Sequence, residues 1–137
     1  MKEDSSVETL DNVVAEPQRT IAVPPTRRGQ LVDYSEIDVE PVPVRRDLPR
    51  YTRKARRQDR QGVVGMRVLV IENGRVADAE LVEEIPGSDL GDAAIDATRT
   101  WQFTPARKDG VPVRVWKDVR VRFAISPSGK ALVRVED

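Results

Sequence analysis

The chain of 137 residues carries equal numbers of basic and acidic side chains and contains neither cysteine nor histidine. This length suits one domain with an extension better than two domains. Without cysteine there is no disulfide or thiolate chemistry, and without histidine the commonest general base and metal ligand are missing. The sequence also has no glycine-rich phosphate loop and no metal-spaced cluster. We therefore expect no enzyme activity, no cofactor and no metal site.

The charge is unevenly distributed along the chain. Residues 1–44 hold four basic and nine acidic residues, whereas residues 45–137 hold nineteen basic and fourteen acidic ones. Prolines punctuate the first segment, and no helix or strand period persists through it. We therefore predict a flexible, acidic, proline-containing linker over 1–44 and a folded domain over 45–137. The alternative is that the end of this segment, around 37–44, docks back on the domain.

No stretch of the sequence approaches the run of about 20 apolar residues that spans a membrane. The first residues lack the apolar core of a signal peptide. We expect the chain to be soluble, or to be the soluble part of a protein anchored elsewhere.

A short basic helix is the first predicted element. Asp47 and Pro49 suit its start, and Tyr51 and Ala55 lie four residues apart on one face. Residues 45–60 hold eight basic and two acidic residues. So narrow an apolar stripe cannot stabilise an isolated helix, and we expect it to lie on a sheet.

A β-hairpin is the next predicted element. Residues 63–71 and 75–83 read as strands, with Asn73 and Gly74 between them. Asn-Gly favours a two-residue type I′ turn, because both central residues of that turn need positive φ.

A second helix and a long strand complete the predicted domain. Asp89 should cap the helix, which should end near Trp101 because Pro105 favours extended backbone before it. Residues 113–125 alternate between apolar and polar side chains, which is typical of a strand with one buried and one solvated face. Residues 131–135 suggest a short final strand that hairpins back.

Together these elements predict an α+β fold in the order α-β-β-α-β(-β). It consists of a small antiparallel sheet of three strands, or four with the last one, and two helices packed on one face. Residues 101–106, which join the second helix to the following strand, are named the hinge. The core is expected to include residues of this helix and hinge: Leu90, Ala94, Trp101, Phe103 and Pro105.

Five motifs in this region, in this order, resemble those of the TonB C-terminal domain family. The family's Pro-x-Tyr-Pro-x-x-Ala box opens the match, with Thr52 at the second proline. Its Trp-x-Phe-x-Pro-Ala block follows the second helix. The matching segments are 49–55, 62–68, 73–76, 93–106 and 110–113.

The resemblance implies a periplasmic domain of an inner-membrane-anchored energy transducer, whose anchor is not in this sequence. Similar domains bind the TonB box, a short peptide of an outer-membrane TonB-dependent transporter, by strand addition. They couple to an inner-membrane motor of the ExbB/ExbD type through the N-terminal anchor. The resemblance also suits a TonB-like interaction module of another envelope machine, for motility or secretion.

We predict that the partner meets the domain at the long strand and at the opening box. The strand site comprises Val119, Arg120, Val121, Arg122, Phe123, Ala124 and Ile125. The second site, which in the family lies near the transporter's plug, comprises Leu48, Pro49, Arg50 and Tyr51. The strand arginines would equally protect an edge by charge. The basic segment 45–60 would also suit an acidic partner, an anionic lipid surface or peptidoglycan, and would equally be a solvated surface. An exposed edge would also allow a homodimer.

The rival class of function is nucleic-acid binding by the arginine-rich helix. Zero net charge and the lack of neighbouring strand aromatics argue against it. We therefore expect no nucleic-acid partner, and a steep fall of affinity with salt would be the sign of one.

Overall fold

A computed structural model of the protein describes residues 25–137. In chain order the elements are β1 (Pro43–Arg45), α1 (Arg53–Arg57), β2 (Gly62–Val70), β3 (Val76–Glu83), α2 (Leu90–Ala97), β4 (Gln102–Phe103), β5 (Ala106–Lys108), β6 (Val111–Val113), β7 (Val115–Ile125) and β8 (Ala131–Glu136). Single 3₁₀ turns cover Tyr34–Glu36 and Thr98–Thr100.

The main sheet has four antiparallel strands in the order β3-β2-β7-β8. Ala55 of α1 and Leu90 and Ala94 of α2 are buried in the same core as the inward side chains of β2 and β7. The predicted α+β architecture is confirmed, and the optional fourth strand is present. Two small two-stranded sheets, β1-β4 and β5-β6, flank the main one.

The alternation of β7 produces the two different faces of the sheet. Val115, Val119, Val121 and Phe123 are buried. The alternate residues Asp118, Arg120 and Arg122 are exposed. Burying one such side chain stabilises a fold by roughly 1.5–3 kcal/mol. The apolar face therefore commits the strand to this register, because a slip of one residue would bury the charged face.

Lys117 interrupts the apolar series of β7 at the rim of the core. Its side chain is buried, and its ammonium lies 3.7 Å from an Asp137 carboxylate oxygen and 5.6 Å from the centroid of the Tyr34 ring. A buried ammonium needs such partners. The pKa of the Tyr34 hydroxyl is raised, first by burial and then by its hydrogen bond to Glu40.

The turn between β2 and β3 differs from the predicted type I′ turn. Gly74 has φ of 84°, but Asn73 does not adopt positive φ. The Ile71 N–H donates to the Arg75 carbonyl at 2.9 Å, and the Gly74 N–H donates to the Ile71 carbonyl at 2.8 Å. This is a three-residue loop, in which a left-handed glycine closes a bulge after a type I turn.

A type I′ turn occurs elsewhere, between β5 and β6. Asp109 and Gly110 have φ of 54° and 77°. They are the two central residues of that hairpin and satisfy the conformation that type I′ demands.

Both helices are shorter than predicted. α1 begins after Thr52, and Asp47 is not its cap; instead the Asp47 carbonyl accepts a hydrogen bond from the Trp101 indole N–H at 2.9 Å. α2 begins at Leu90 as expected but gives way to the 3₁₀ turn after Ala97, so that it ends before Trp101.

Residues 25–44 are docked and do not form a free linker, and the alternative that the segment around 37–44 docks back on the domain describes what the structure shows. Residues 25–46, named the lead-in here, run along residues 102–114. The Val32 N–H donates to the Arg114 carbonyl at 2.9 Å, and the Thr104 N–H donates to the Val42 carbonyl at 2.8 Å. Pro41 and Pro43 hold the end of this segment extended, which lets its backbone pair with groups that the main sheet leaves free. Residues 1–24 of the predicted linker lie outside the described residues.

Gly74 is the glycine for which the packing leaves no room for a side chain. A Cβ atom there would lie 1.8 Å from the Phe103 carbonyl oxygen. The Phe103 N–H donates to the Gly74 carbonyl at 2.8 Å, so the two backbones are held together.

We expect Gly74→Ala to destabilise the domain by clearly more than the ~1–2 kcal/mol that left-handed backbone costs an L-residue, because the hinge must also move. Urea unfolding followed by circular dichroism measures the difference. Gly129→Ala is the matched control, since Gly129 has φ of 88° and, apart from its two chain neighbours, no residue of 25–137 lies within 4 Å of the position that its Cβ would take. Equal losses in the two variants would contradict the close approach.

Candidate functional site

The strand predicted to be the acceptor edge lies inside the sheet. β7 pairs with β2 on one side, from Val70↔Val115 to Gly62↔Phe123. On the other side it pairs with β8, from Arg120↔Glu136 to Ile125↔Ala131. The prediction that Val119, Arg120, Val121, Arg122, Phe123, Ala124 and Ile125 form an edge is therefore wrong, because both backbone ladders of the strand are taken. The predicted hairpin at 131–135 already contained this result, since a strand that folds back covers the edge.

The arginines of this strand lie on the solvated face of the sheet. An Arg120 nitrogen lies 3.3 Å from a Glu83 carboxylate oxygen, and Arg122 Nε lies 3.6 Å from one of Glu136. Arg120 lies opposite Gly65, and a Cβ atom on Gly65 would meet Glu83 at 3.1 Å. These pairs are half exposed and contribute only about 0–1 kcal/mol each.

The outer side of β8 is one of the two edges of the sheet. The Ser126 N–H donates to the Lys130 carbonyl at 2.8 Å, which makes this the first hydrogen-bonded pair of the hairpin. Such pairs alternate in antiparallel strands, so residues 132, 134 and 136 face β7. The backbone groups of Ala131, Val133 and Val135 point outward, and they have no hydrogen-bond partner within residues 25–137.

The opposite edge, formed by β3, is protected. The β2–β3 register is broken twice, between Gly65 and Met66 and between Leu69 and Val70. The Ala79 N–H already has a partner in its own neighbour, since it donates to the Asp78 carboxylate at 2.8 Å. Bulges and edge charges of this kind discourage pairing with another strand. β8, in contrast, pairs with β7 through six residues without a break.

An apolar side chain accompanies the open edge. Leu132 is 46% exposed, and with Ala124 and Val133 it lines a cleft of about 430 Å³ bordered by Arg122 and Arg134. The edge of β8 thus combines unpaired backbone groups with an apolar anchor point and flanking cations.

The opening box divides into accessible and structural residues. Leu48 is 59% exposed and Arg50 is exposed, whereas Pro49 is buried. The Tyr51 ring packs edge-on against Phe123 with centroids 5.4 Å apart, and its hydroxyl donates to the Arg60 carbonyl. Burial raises the pKa of that hydroxyl. Leu48 and Arg50 remain available to a partner.

Thr52 occupies the position where the opening box has its second proline. Its hydroxyl oxygen accepts a hydrogen bond from the Ala55 N–H at 3.1 Å and its O–H donates to the Asp89 carboxylate at 2.6 Å. Asp89 therefore makes no side-chain cap to its own helix. One hydroxyl both caps α1 and joins it to the start of α2.

The aromatic hinge belongs to the core and not to a surface site. Trp101 and Phe103 are 2% and 1% exposed, with ring centroids 6.3 Å apart. Leu90 and Ala94 are fully buried beside them, while Pro105 is partly exposed.

Trp116 lies on the solvated face of the sheet, half covered by the Arg67 guanidinium at 4.9 Å from its ring centroid. Over residues 25–137 no group of three or more acidic residues is arranged to hold a metal ion. In the same range, no helix has both the length and the apolar character that crossing a bilayer requires.

Comparison with known proteins gives a consistent result. The family described as the Gram-negative bacterial TonB protein C-terminal matches residues 47–129. Protein TonB of Vibrio cholerae serotype O1 is 30% identical over 77 residues, which make up 56% of this chain and 32% of that protein. The chain thus matches about a third of that relative's length. The solution NMR structure of the Pseudomonas aeruginosa TonB CTD is 27% identical, with a TM-score of 0.46, over 64% of this chain and 88% of that one.

We expect Thr52→Ala to lower the free energy of unfolding by about 1–2 kcal/mol, because the first turn of α1 loses its cap and Asp89 loses a donor. Thr52→Ser keeps the hydroxyl and should stay close to the parent. Urea denaturation of both variants measures the effect. Equal destabilisation of the two would show that the methyl group, and not the hydrogen bonds, is what matters.

Proposed function

Because the chain belongs to the TonB C-terminal family, we propose that it binds an extended segment of a partner protein by adding that segment to the outer edge of β8. The observation that carries this proposal is the contrast between the two sheet edges. β3 is bulged and self-capped, whereas β8 is regular and leaves the outward groups of Val133 and Val135 unpaired within residues 25–137. Main-chain hydrogen bonds would supply affinity, and alternate side chains selectivity.

The surroundings of β8 indicate which segment would fit. A side chain on the solvated face of the added strand would lie beside Leu132 and the small cleft that it lines. Arg122 and Arg134 border that cleft, and both approach Glu136, at 3.6 and 3.4 Å. A segment with apolar residues at alternate positions and an acidic residue among them would match this edge.

In the cell, we propose that an outer-membrane TonB-dependent transporter provides this segment as its TonB box. The domain would then face the periplasm and couple inner-membrane energy to import, through an inner-membrane anchor and an ExbB/ExbD-type motor. The exposed Leu48 and Arg50 would form a second contact with the partner. A segment from another envelope machine, for motility or secretion, would use the same edge.

The test is an amide NMR titration of the whole chain with short peptides from the N-termini of outer-membrane transporters of the same organism. We expect shifts in residues 131–136 that depend only weakly on salt, because backbone hydrogen bonds are neutral. Val133→Pro should weaken binding about tenfold or more, since it removes an outward donor. The ladder to β7 should survive, because the Val133 N–H does not point toward it.

Two control variants accompany this substitution. Val133→Ala loses the same packing but keeps the N–H, and should bind. Ala79→Pro makes the equivalent change on the edge of β3 and should also bind. Equal losses in Val133→Ala and Val133→Pro, or shifts confined to β3, would show that the partner does not use the β8 edge.

The remaining outcomes separate the alternatives. If peptide binding makes the β8 amides exchange their hydrogens with solvent more rapidly, the partner replaces β8 instead of extending it. Concentration-dependent sedimentation, lost in Val133→Pro, would mean that two copies of this chain pair through the edge. A folded protein with no response to any transporter peptide would leave another envelope complex as the partner.

A further inference from the structure

A second surface of the domain is strongly basic and is not used by the proposed strand addition. α1 and the turn between β7 and β8 enclose an open cleft of about 790 Å³, named the basic cleft here. The charged residues that line it are Arg50, Arg53, Arg56, Arg57 and Asp59. Four guanidinium groups thus share the cleft with a single carboxylate.

The positive charge of this surface is not neutralised by the domain. Lys54 of α1 and Arg60, which follows the helix, are two further exposed cations in this segment. Within residues 25–137, none of the six basic side chains between 50 and 60 lies in an ion pair. Arg56 donates to the Gly129 carbonyl at 3.2 Å, which ties the helix side of the cleft to the turn on its other side.

This arrangement works against the stability of α1. Arg53 lies three residues before Arg56 and four before Arg57, and like charges at these spacings destabilise a helix. Ala55 is the one buried residue of the helix, so burial offsets little of this repulsion. An anion bound beside the helix would relieve this repulsion.

The chemistry of the cleft favours phosphate. Guanidinium groups present paired donors that match phosphate oxygens. Nothing at the cleft favours nucleic-acid bases, because the Tyr51 ring already packs against Phe123 and its hydroxyl donates a hydrogen bond to the Arg60 backbone carbonyl. The exposed face of α2 carries Asp92 and Asp96, so the positive surface is one-sided, which suits a plane of headgroups better than a wrapped polymer.

We propose that the basic cleft binds the phosphates of anionic phospholipid headgroups and holds the domain on a membrane surface. The proposal draws on the envelope location in the proposed function, but it does not require strand addition. Juxtaposed cations bind such a surface with affinities that multiply about fivefold per charge. Arg50 of the cleft is also a proposed partner contact, whereas the other arginines that line it, Arg53, Arg56 and Arg57, lie on α1.

The experiment uses the whole chain and co-sedimentation with large vesicles of phosphatidylcholine, with and without about 30% phosphatidylglycerol, at about 50 and 300 mM salt. We expect binding that needs phosphatidylglycerol and weakens with salt. The double variant Arg53→Gln/Arg57→Gln should bind about twentyfold more weakly. Arg75→Gln/Arg99→Gln, which removes the same charge away from the cleft, should bind like the parent.

Competition arms distinguish the sources of phosphate. Inorganic pyrophosphate and a short DNA duplex are titrated against the vesicle-bound protein and, separately, against the free protein. Tight binding of pyrophosphate itself would overturn the proposal in favour of a free-phosphate site. Binding of duplex DNA without binding of vesicles, lost in the Arg53→Gln/Arg57→Gln variant, would overturn it in favour of nucleic acid.

Two further results bear on the proposal. If the two double variants weaken vesicle binding equally, binding depends only on net charge, and the proposal of a specific site at the basic cleft is overturned. The Val133→Pro variant, which tests strand addition, should bind vesicles normally, and Arg53→Gln/Arg57→Gln should still bind peptide. Failure of one proposal is therefore distinguishable from failure of the other, and circular dichroism of each variant confirms that it is folded.

Discussion

The short segment 101–103 holds three parts of the domain in place at once. The Trp101 indole N–H reaches the Asp47 carbonyl at 2.9 Å, and the Phe103 N–H reaches the Gly74 carbonyl at 2.8 Å. Both rings are buried, so these hydrogen bonds form where water cannot compete for the donors. The chain before α1 and the β2–β3 hairpin are therefore both fixed to the hinge that leaves α2.

This frame gives the sheet two unequal edges. Most β-sheet proteins guard both edges, since an unpaired strand invites association. Here β3 carries the bulges and the carboxylate cap, and it also lies against α2, with Leu81 beside Gly91. β8 lies at the other end of the sheet, beyond the reach of α2, and has a regular ladder. Because only one edge is open, an added strand would have a single place to pair with this sheet.

Sequence periodicity predicted the sheet, the second helix and the hinge, because each depends on side chains that alternate between core and water. The alternation from Val115 to Phe123 is of this kind. Of the lead-in, only the docking around 37–44 was anticipated, as an alternative, because the segment pairs largely through backbone hydrogen bonds to residues distant in sequence, such as Val32 to Arg114, which leave no side-chain pattern. The left-handed conformation of Gly74 was foreseen, but the length of its loop depends on where the Ile71–Arg75 pair closes.

The candidate site was predicted less well than the fold. Leu48 and Arg50 lie on the surface, but the predicted acceptor strand β7 lies inside the sheet, and the edge on that side is formed by β8. The residues of β7 carry the stronger alternation, and that strength reflects burial on an interior strand. β8 is short and half exposed, so its pattern is weak although it forms the boundary of the sheet.

The docked lead-in also determines how the domain would respond to tension. A pull applied at residue 25 first meets the sparse hydrogen bonds that join the lead-in to residues 102–114, and only then the long ladders of the main sheet. The lead-in would detach while the sheet stays folded. Residues 25–46 would then supply up to about 70 Å of extended chain, at roughly 3.3 Å per residue. Such detachment would lengthen the chain before α1 and leave the edge of β8 intact.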